Sequence, residues 1–341
     1  MAILLAGDIG GTKTLLSLYS AGASHPELLV QERYASADWN DLAPMVNHFL
    51  LDGPGRDHPR PQAACLAVAG PVQGGRAQLT NLPWLLDEAA LAQACGLASV
   101  ELVNDFAVLI YGLPHLQPPQ LAQVRAGEAV GSAPLLVLGA GTGLGVAFGI
   151  PTASGLQAVA SEAAHGEYAP RSAAEWDLRE WLRQDLGLER LSIERVVSGT
   201  GLGHVARWLL ARRSDDGPHP LEDEARRWEA SSGGGADLPA AVAAAAACGD
   251  PLAREALDLW LGAYGSVAGD LALACLSRGG IWLAGGTAAK LLDGLRSPTF
   301  SQAFLAKGRL APTLSGIPIR AITDPAIGSY SAACRARALL G

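Results

Sequence analysis

Residues 3–20 read ILLAGDIGGTKTLLSLYS, an apolar run, a Gly-rich turn and a second apolar run. This stretch limits the fold more than any other. A P-loop needs Gly-Lys-Ser/Thr followed by a helix, and a dinucleotide site needs G-x-G-x-x-G opening a helix. Here Thr12 precedes Lys13, and TLLSLYS reads as a strand that returns beside the first, so the Gly-Gly-Thr turn sits at the tip of a hairpin. Residues 134–150, PLLVLGAGTGLGVAFGI, repeat the scheme and suggest an internal duplication. The copies differ at one place: Asp8 precedes the first turn, whereas Gly139-Ala140 precedes the second.

Around these hairpins, apolar runs alternate with helical periods, which argues α/β. After the opening hairpin, residues 28–35 continue the meander, LAPMVNHFLL reads as a helix, and QAACLAVAGPV as a buried strand. LDEAALAQACGL is a helix stopped by Gly96, and SVELVND a buried strand ending at Asn104-Asp105. Past the second hairpin, helices are expected near 173–186, 200–213, 239–248 and 252–277. Residues 212–239 read as surface loop with a helical piece. The strand GIWLAGG, the helix TAAKLLDGL and a closing strand, turn and helix complete the chain.

At 341 residues the chain can hold two domains; it is 49% hydrophobic and 17% charged, the profile of a folded protein. A net charge of −8 without a basic stripe argues against nucleic-acid and anionic-membrane partners. Its 5 cysteines are scattered, with no C-x-x-C pair, so reduced cytoplasmic thiols are expected. MAILLAGDIGG has no basic n-region and only a short apolar run, and reads as neither signal peptide nor membrane span.

Backbone N–H groups in a tight Gly turn can converge on phosphate oxygens, and a Thr hydroxyl adds a donor. Hairpin turns also carry Gly for conformational reasons alone; two similar turns opening two α/β units favour the phosphate reading. Asp8 beside such a turn would need a cation between itself and the phosphates, and Mg²⁺ fits; alternatively it bonds its own turn. Asp105, at a strand's C-terminal end, could accept a proton from a substrate hydroxyl or could cap the next helix. Glu162 and His165 are spaced i, i+3 in a segment that Gly166 and Pro170 make irregular. With a single Glu-x-x-His copy, a metal centre is not expected; the pair suits a hydroxyl-rich ligand, and Glu194 could add a third group. Gly285-Gly286-Thr287 between a strand and a helix could admit a nucleoside.

In this order the motifs resemble the bacterial glucokinases of the hexokinase–actin–Hsp70 superfamily, related to the repressor–kinase group. GDIGGTKT resembles the first phosphate loop, LTNLPW (79–84) the sugar-side loop and VNDF the catalytic strand end. GAGTGLG resembles the second phosphate loop, SEAAHGEYAP the Glu-x-x-His segment, ERVVSGTGL a further sugar-binding segment and LAGGTAAK the adenosine segment.

The resemblance implies a two-lobed actin-like ATPase fold with duplicated mixed-sheet domains: a small α/β domain of 1–115 plus 322–341, a large one of 116–321, and a cleft between them. It implies ATP-dependent phosphorylation of D-glucose at the 6-hydroxyl, the entry step of glycolysis, by a cytoplasmic homodimer. Asp105 would be the general base, and Asn81, Asn104, Glu162, His165 and Glu194 would hold other hydroxyls. Asp8 would position Mg²⁺ through water; Gly10, Gly11, Thr12, Lys13, Gly141, Thr142 and Gly143 would surround the phosphates, and Gly285, Gly286 and Thr287 the adenosine. The chain departs from the family at Ala163-Ala164, where Gly-Gly is frequent, and at GTAAK, where Gly-Gly-x-x-Pro is more usual. It lacks the repressor–kinase Cys-rich motif, so structural zinc is not expected, and neither is a sugar-responsive repressor with a helix-turn-helix before Ile3. Rival readings are a kinase of the same fold for another hexose or an N-acetylhexosamine, a polyphosphate-using relative, and a sugar sensor without turnover.

Overall fold

The computed structural model describes residues 2–79, 82–213, 217–230 and 235–341. Asn81, expected in the sugar-side loop, lies outside the described residues. The chain divides into two compact units: Met1–Gln120 with Ala147–Ala160 and Asp324–Gly341, and Leu121–Val146 with Ser161–Thr323. The excursion of 147–160 into the first unit is absent from the boundaries expected near 115 and 321.

In the first unit, β1 (Ile3–Ile9), β2 (Lys13–Ser20), β3 (Glu27–Ala35) and β4 (Ala63–Val68) come first in the chain. A small meander follows, β5 (Val72–Gln73), β6 (Arg76–Gln78) and β7 (Leu85–Asp87), and then β8 (Val100–Asn104). The main sheet runs β3-β2-β1-β4-β8. The expected opening hairpin is present, with Asp8 opposite Leu15 and Ile9 opposite Thr14. β4 and β8 pair parallel to their neighbours and point the same way as β1.

Strand alternation decides where Asp8 points. Ile3, Leu5 and Ile9 of β1 join Leu16 and Leu18 of β2 in a core with Leu42, Met45, Val46 and Phe49. Those four come from the helix Leu42–Leu51, whose first turn Asp41 caps by accepting from Leu42 N. Leu4, Ala6 and Asp8 occupy the opposite face of β1. On that face Tyr19 Oη and Ser17 Oγ meet Ser329 Oγ at 3.1 and 3.0 Å. Ser329 belongs to the helix Ile327–Ala338, and a methyl on Gly328 would touch the Asp8 carboxylate at 3.4 Å. Asp8 therefore stands beside the first turn of that helix, where partial positive charge favours a carboxylate.

The second unit contributes β9 (Leu121–Arg125), β10 (Leu135–Ala140), β11 (Leu144–Thr152), β12 (Gly155–Ser161), β13 (Gly280–Ala284) and β14 (Ile319–Ile322). Their order is β12-β11-β10-β13-β14-β9, with β11 from Ala147 onward and β12 as far as Ala160 grouped with the first unit. The helix Pro251–Ala274 starts on an Asp250 cap and buries Trp260 and Tyr264, the latter edge-on to Phe300. The polar stretch carries the helix Glu222–Ala230. The single helix expected over TAAKLLDGL is instead two short ones, Gly286–Lys290 and Leu292–Leu295; Leu291 between them leaves helical geometry at φ −113°, ψ 27°. β9, β12 and the small meander were not anticipated: they are short or half-exposed, and their apolar pattern is faint.

Candidate active site

Within the first unit, the tip of the β1–β2 hairpin is held by a residue far along the chain. Gly10 N donates to Lys13 O at 3.0 Å, closing the turn. Ser36 then bonds it twice: its N–H donates to Thr12 O at 3.0 Å and its hydroxyl to Gly10 O at 2.9 Å. Thr14 Oγ1 lies 3.0 Å from the same hydroxyl. With the turn's own carbonyls so occupied, Thr12 and Lys13 keep their side chains exposed. Water reaches Asp8, yet protein crowds it, and this desolvation pushes its carboxyl above the ordinary carboxylate range against the opposing charge of Arg33.

At the end of β8, Asn104 rather than Asp105 caps the chain that follows. Asn104 Oδ1 accepts from Phe106 N and Ala107 N, each at 3.0 Å. Its Nδ2 donates to Gly70 O at 3.1 Å and to Asp105 Oδ1 at 3.0 Å. An Asn side chain has two donors and two lone pairs, so its bonding capacity is fully used. Asp105 Oδ1 also accepts from Phe106 N at 3.0 Å, and Asp105 N donates to Val68 O at 3.0 Å. The carboxylate is thus oriented through Oδ1 by two donors, and β8 itself is anchored by the two-pronged Glu101–Arg335 pair at 2.7 and 2.9 Å.

In the second unit, Glu162 precedes a 3₁₀ turn, Ala163–His165, in the segment expected to be irregular. His165 Nε2 and Glu162 Oε2 are 3.6 Å apart, and both side chains are largely exposed. The segment is tied to residues 190–193: Tyr168 N to Leu191 O at 2.8 Å, Ile193 N to Gly166 O at 2.9 Å and Arg190 Nη1 to His165 O at 2.8 Å. Buried Glu175 holds its far end, accepting from Tyr168 Oη and Arg171 N at 2.9 Å each. Glu194 follows on the short helix Ile193–Arg195, and its Oε2 accepts from Leu144 N at 3.0 Å. Glu194 therefore touches the second Gly-Thr turn.

That turn, residues 141–143, is gripped by the start of the helix Gly199–Ala211. Gly199 N donates to Gly141 O at 2.7 Å, and Thr200 Oγ1 to Thr142 O at 2.7 Å. From the other side, Thr287 Oγ1 donates to Ala140 O at 2.6 Å. Gly285 has φ +83°, and a methyl there would meet Ala140 O at 2.6 Å, so this crossing needs glycine. Gly141, Thr142, Thr200, Gly286 and Thr287 share a cavity of about 1050 Å³ with Lys290 and residues of the helices around 185–243. A nucleoside polyphosphate fits such a volume. His204 and Trp228 meet edge-on in its wall, and burial holds the His204 imidazole below its usual pKa.

Ser36 and Thr200 were missed by the sequence reading. Ser36 gave no signal, since nothing local links it to residue 10. Thr200 had one: GTGLG occurs at both 141–145 and 199–203, and the two copies bond to each other. Among the described residues no cluster of three or more His, Cys, Asp or Glu could hold a metal, and no helix is long and apolar enough to cross a membrane.

The glucokinase family profile matches residues 5–339. A glucokinase of Nostoc sp. PCC 7120 is 40% identical over 99% of this chain and its own full length. One from Synechocystis sp. PCC 6803 is 41% identical over 96% of each chain. Among solved structures, a glucokinase from an Antarctic psychrotroph superposes with a TM-score of 0.82 at 29% identity, covering 98% of this chain and 99% of its own. The fold is that of the actin-like sugar kinases.

Proposed function

The chain belongs to the glucokinase family and is an ATP-dependent hexose kinase that phosphorylates glucose; we propose that Asp105 is its general base. The observation that carries this role is the orientation of Asp105 at the end of β8, fixed through Oδ1 by Asn104 and Phe106 N. Asp105 takes the proton from the glucose 6-hydroxyl as that oxygen bonds to the γ-phosphorus. The bond from the γ-phosphorus to its bridging oxygen breaks, and ADP leaves. Such a transfer depends on positioning and charge neutralisation more than on covalent chemistry by the protein.

Glu162, His165 and Glu194 hold the remaining sugar hydroxyls, and Asn81 adds to them. Asn104 joins by exchanging one internal bond for a sugar hydroxyl. Gly10, Gly11, Thr12, Lys13, Gly141, Thr142 and Gly143 form the phosphate loops, and Gly285, Gly286 and Thr287 border the adenosine. Mg²⁺ fits at Asp8 through water: it needs only one or two carboxylates besides phosphate and water, and a cation there would offset the desolvation of that carboxylate. When bound, the ion neutralises charge on the phosphates. In this reading the enzyme feeds glucose into glycolysis in the cytoplasm as a homodimer, the assembly being checked by sedimentation.

The test is sugar-dependent ADP release with Mg-ATP over a panel of glucose, mannose, fructose and N-acetylglucosamine. The panel bears on the Ala163-Ala164 departure, since discrimination rests on hydroxyl contacts. Turnover highest on glucose supports the assignment. A folded enzyme that releases ADP with none of these sugars contradicts it.

A further inference from the structure

Gly143 stands out among the glycines of the second loop. Methyl groups built on Gly141 or Gly286 meet nothing within 4 Å, and both residues line the nucleotide cavity. Gly143 is not among the lining residues, and a methyl on it would lie 2.4 Å from Glu194 Oε2 and 3.2 Å from Glu194 Cδ. That same Oε2 accepts from Leu144 N at 3.0 Å. The vacancy left by the missing side chain is therefore filled by the Glu194 carboxylate, which rests on the loop's backbone.

Glu194 is fixed from behind as well. Ser198 Oγ donates to Glu194 O at 2.7 Å, and the buried indole of Trp260 donates to Ser198 O at 2.8 Å. A carboxylate seated this way has Oε2 committed to the loop's backbone, so Oε1 is the oxygen that a second ligand would use. A carboxylate whose two oxygens serve different ligands would couple a phosphate site to a sugar site.

We infer that Gly143 is a positioning residue for the sugar: it admits the Glu194 carboxylate onto Leu144 N, so that a loop serving phosphate sets sugar affinity. The inference rests on the glucokinase reading above, which supplies the sugar contact of Glu194. Gly143→Ala then displaces Glu194 while leaving the groups that line the nucleotide cavity in place.

The experiment is calorimetric titration of D-glucose alone, without nucleotide, into the wild type, Gly143→Ala, Glu194→Ala and the double variant, with both steady-state KM values measured in parallel. Loss of a charge-assisted contact predicts a glucose Kd raised on the order of tenfold in Gly143→Ala. Because Gly143 also belongs to the phosphate loop, the KM for ATP rises too, but by a clearly smaller factor than the glucose Kd. In the Glu194→Ala background, Gly143→Ala adds no further loss of glucose affinity, the non-additivity expected of one shared contact. A rise in the ATP KM with unchanged glucose affinity, or additive losses, overturns the inference while leaving the kinase reading intact. A wild type that binds no glucose overturns both. Should Gly143→Ala fail to fold, hydrogen exchange at the Leu144 amide decides: Glu194→Ala must speed it, and an unchanged rate refutes the link.

Discussion

The pentapeptide GTGLG at 141–145 turns a hairpin, whereas the same five residues at 199–203 begin a helix. What precedes each copy decides its form. Residues 135–140 are the buried strand β10, which delivers the first copy as a turn into β11. The second copy follows Ser198, whose hydroxyl accepts from Gly201 N at 2.9 Å and sets a helix N-cap. Their glycines serve opposite ends. Gly143 makes room for the Glu194 carboxylate, while a methyl on Gly201 would meet Val196 O at 2.1 Å, inside the packed backbone. Identical local sequence thus yields a strand-to-strand turn that admits a side chain in one place and a tightly packed helix start in the other.

The sharpest way to break this contrast is to add the same methyl to each copy. Gly201→Ala forces backbone apart and costs more than about 3 kcal/mol, read by urea unfolding as a large drop in midpoint. Gly143→Ala meets only the end of a flexible side chain, so its unfolding midpoint stays near wild type. Ser198→Ala removes the cap and the bond to Glu194 O; a loss of about 1–2 kcal/mol is expected by the same assay, together with weaker glucose binding. Thr200→Ala deletes one hydrogen bond between the copies, costing about 1 kcal/mol and raising the KM for ATP severalfold.

The smallest effect concerns pH. His204, in the second copy's helix, donates from Nδ1 to Arg195 O at 2.9 Å and is buried, so folding depresses its pKa below 6.5. The unfolded chain binds the proton more readily, so this contribution to stability is whole above pH 6.5 and is lost as pH falls below it, through the depressed folded value. His204→Gln flattens that acid limb in thermal melts taken between pH 5 and 8.

Much of this was legible in the sequence because it is local. The hairpins, the buried strands ending at Asp8 and Asn104-Asp105, and the irregular turn at Glu162–His165 follow from apolar runs broken by Gly and Asp. The resemblance to glucokinases came from the order of the motifs, not from any one of them. What was hidden is tertiary. Ser36 locks residue 10 from 26 positions away, and Glu194 reaches Leu144 from 50 positions away; no window of sequence contains either pair. The capping exchange at β8 was hidden differently, since Asn and Asp are equally good caps and only the geometry shows that Asn104 takes that task and leaves Asp105 oriented beside it.

The central claim, a base at Asp105 in a glucose kinase, is tested most directly by Asp105→Asn, measured for glucose binding by calorimetry and for phosphoryl transfer in a single turnover with Mg-ATP. The substitution keeps size and removes the proton acceptor. The account predicts glucose affinity within severalfold of wild type and transfer slowed by about 10²–10⁴-fold. Transfer at the wild-type rate in a folded variant that still binds glucose would contradict it.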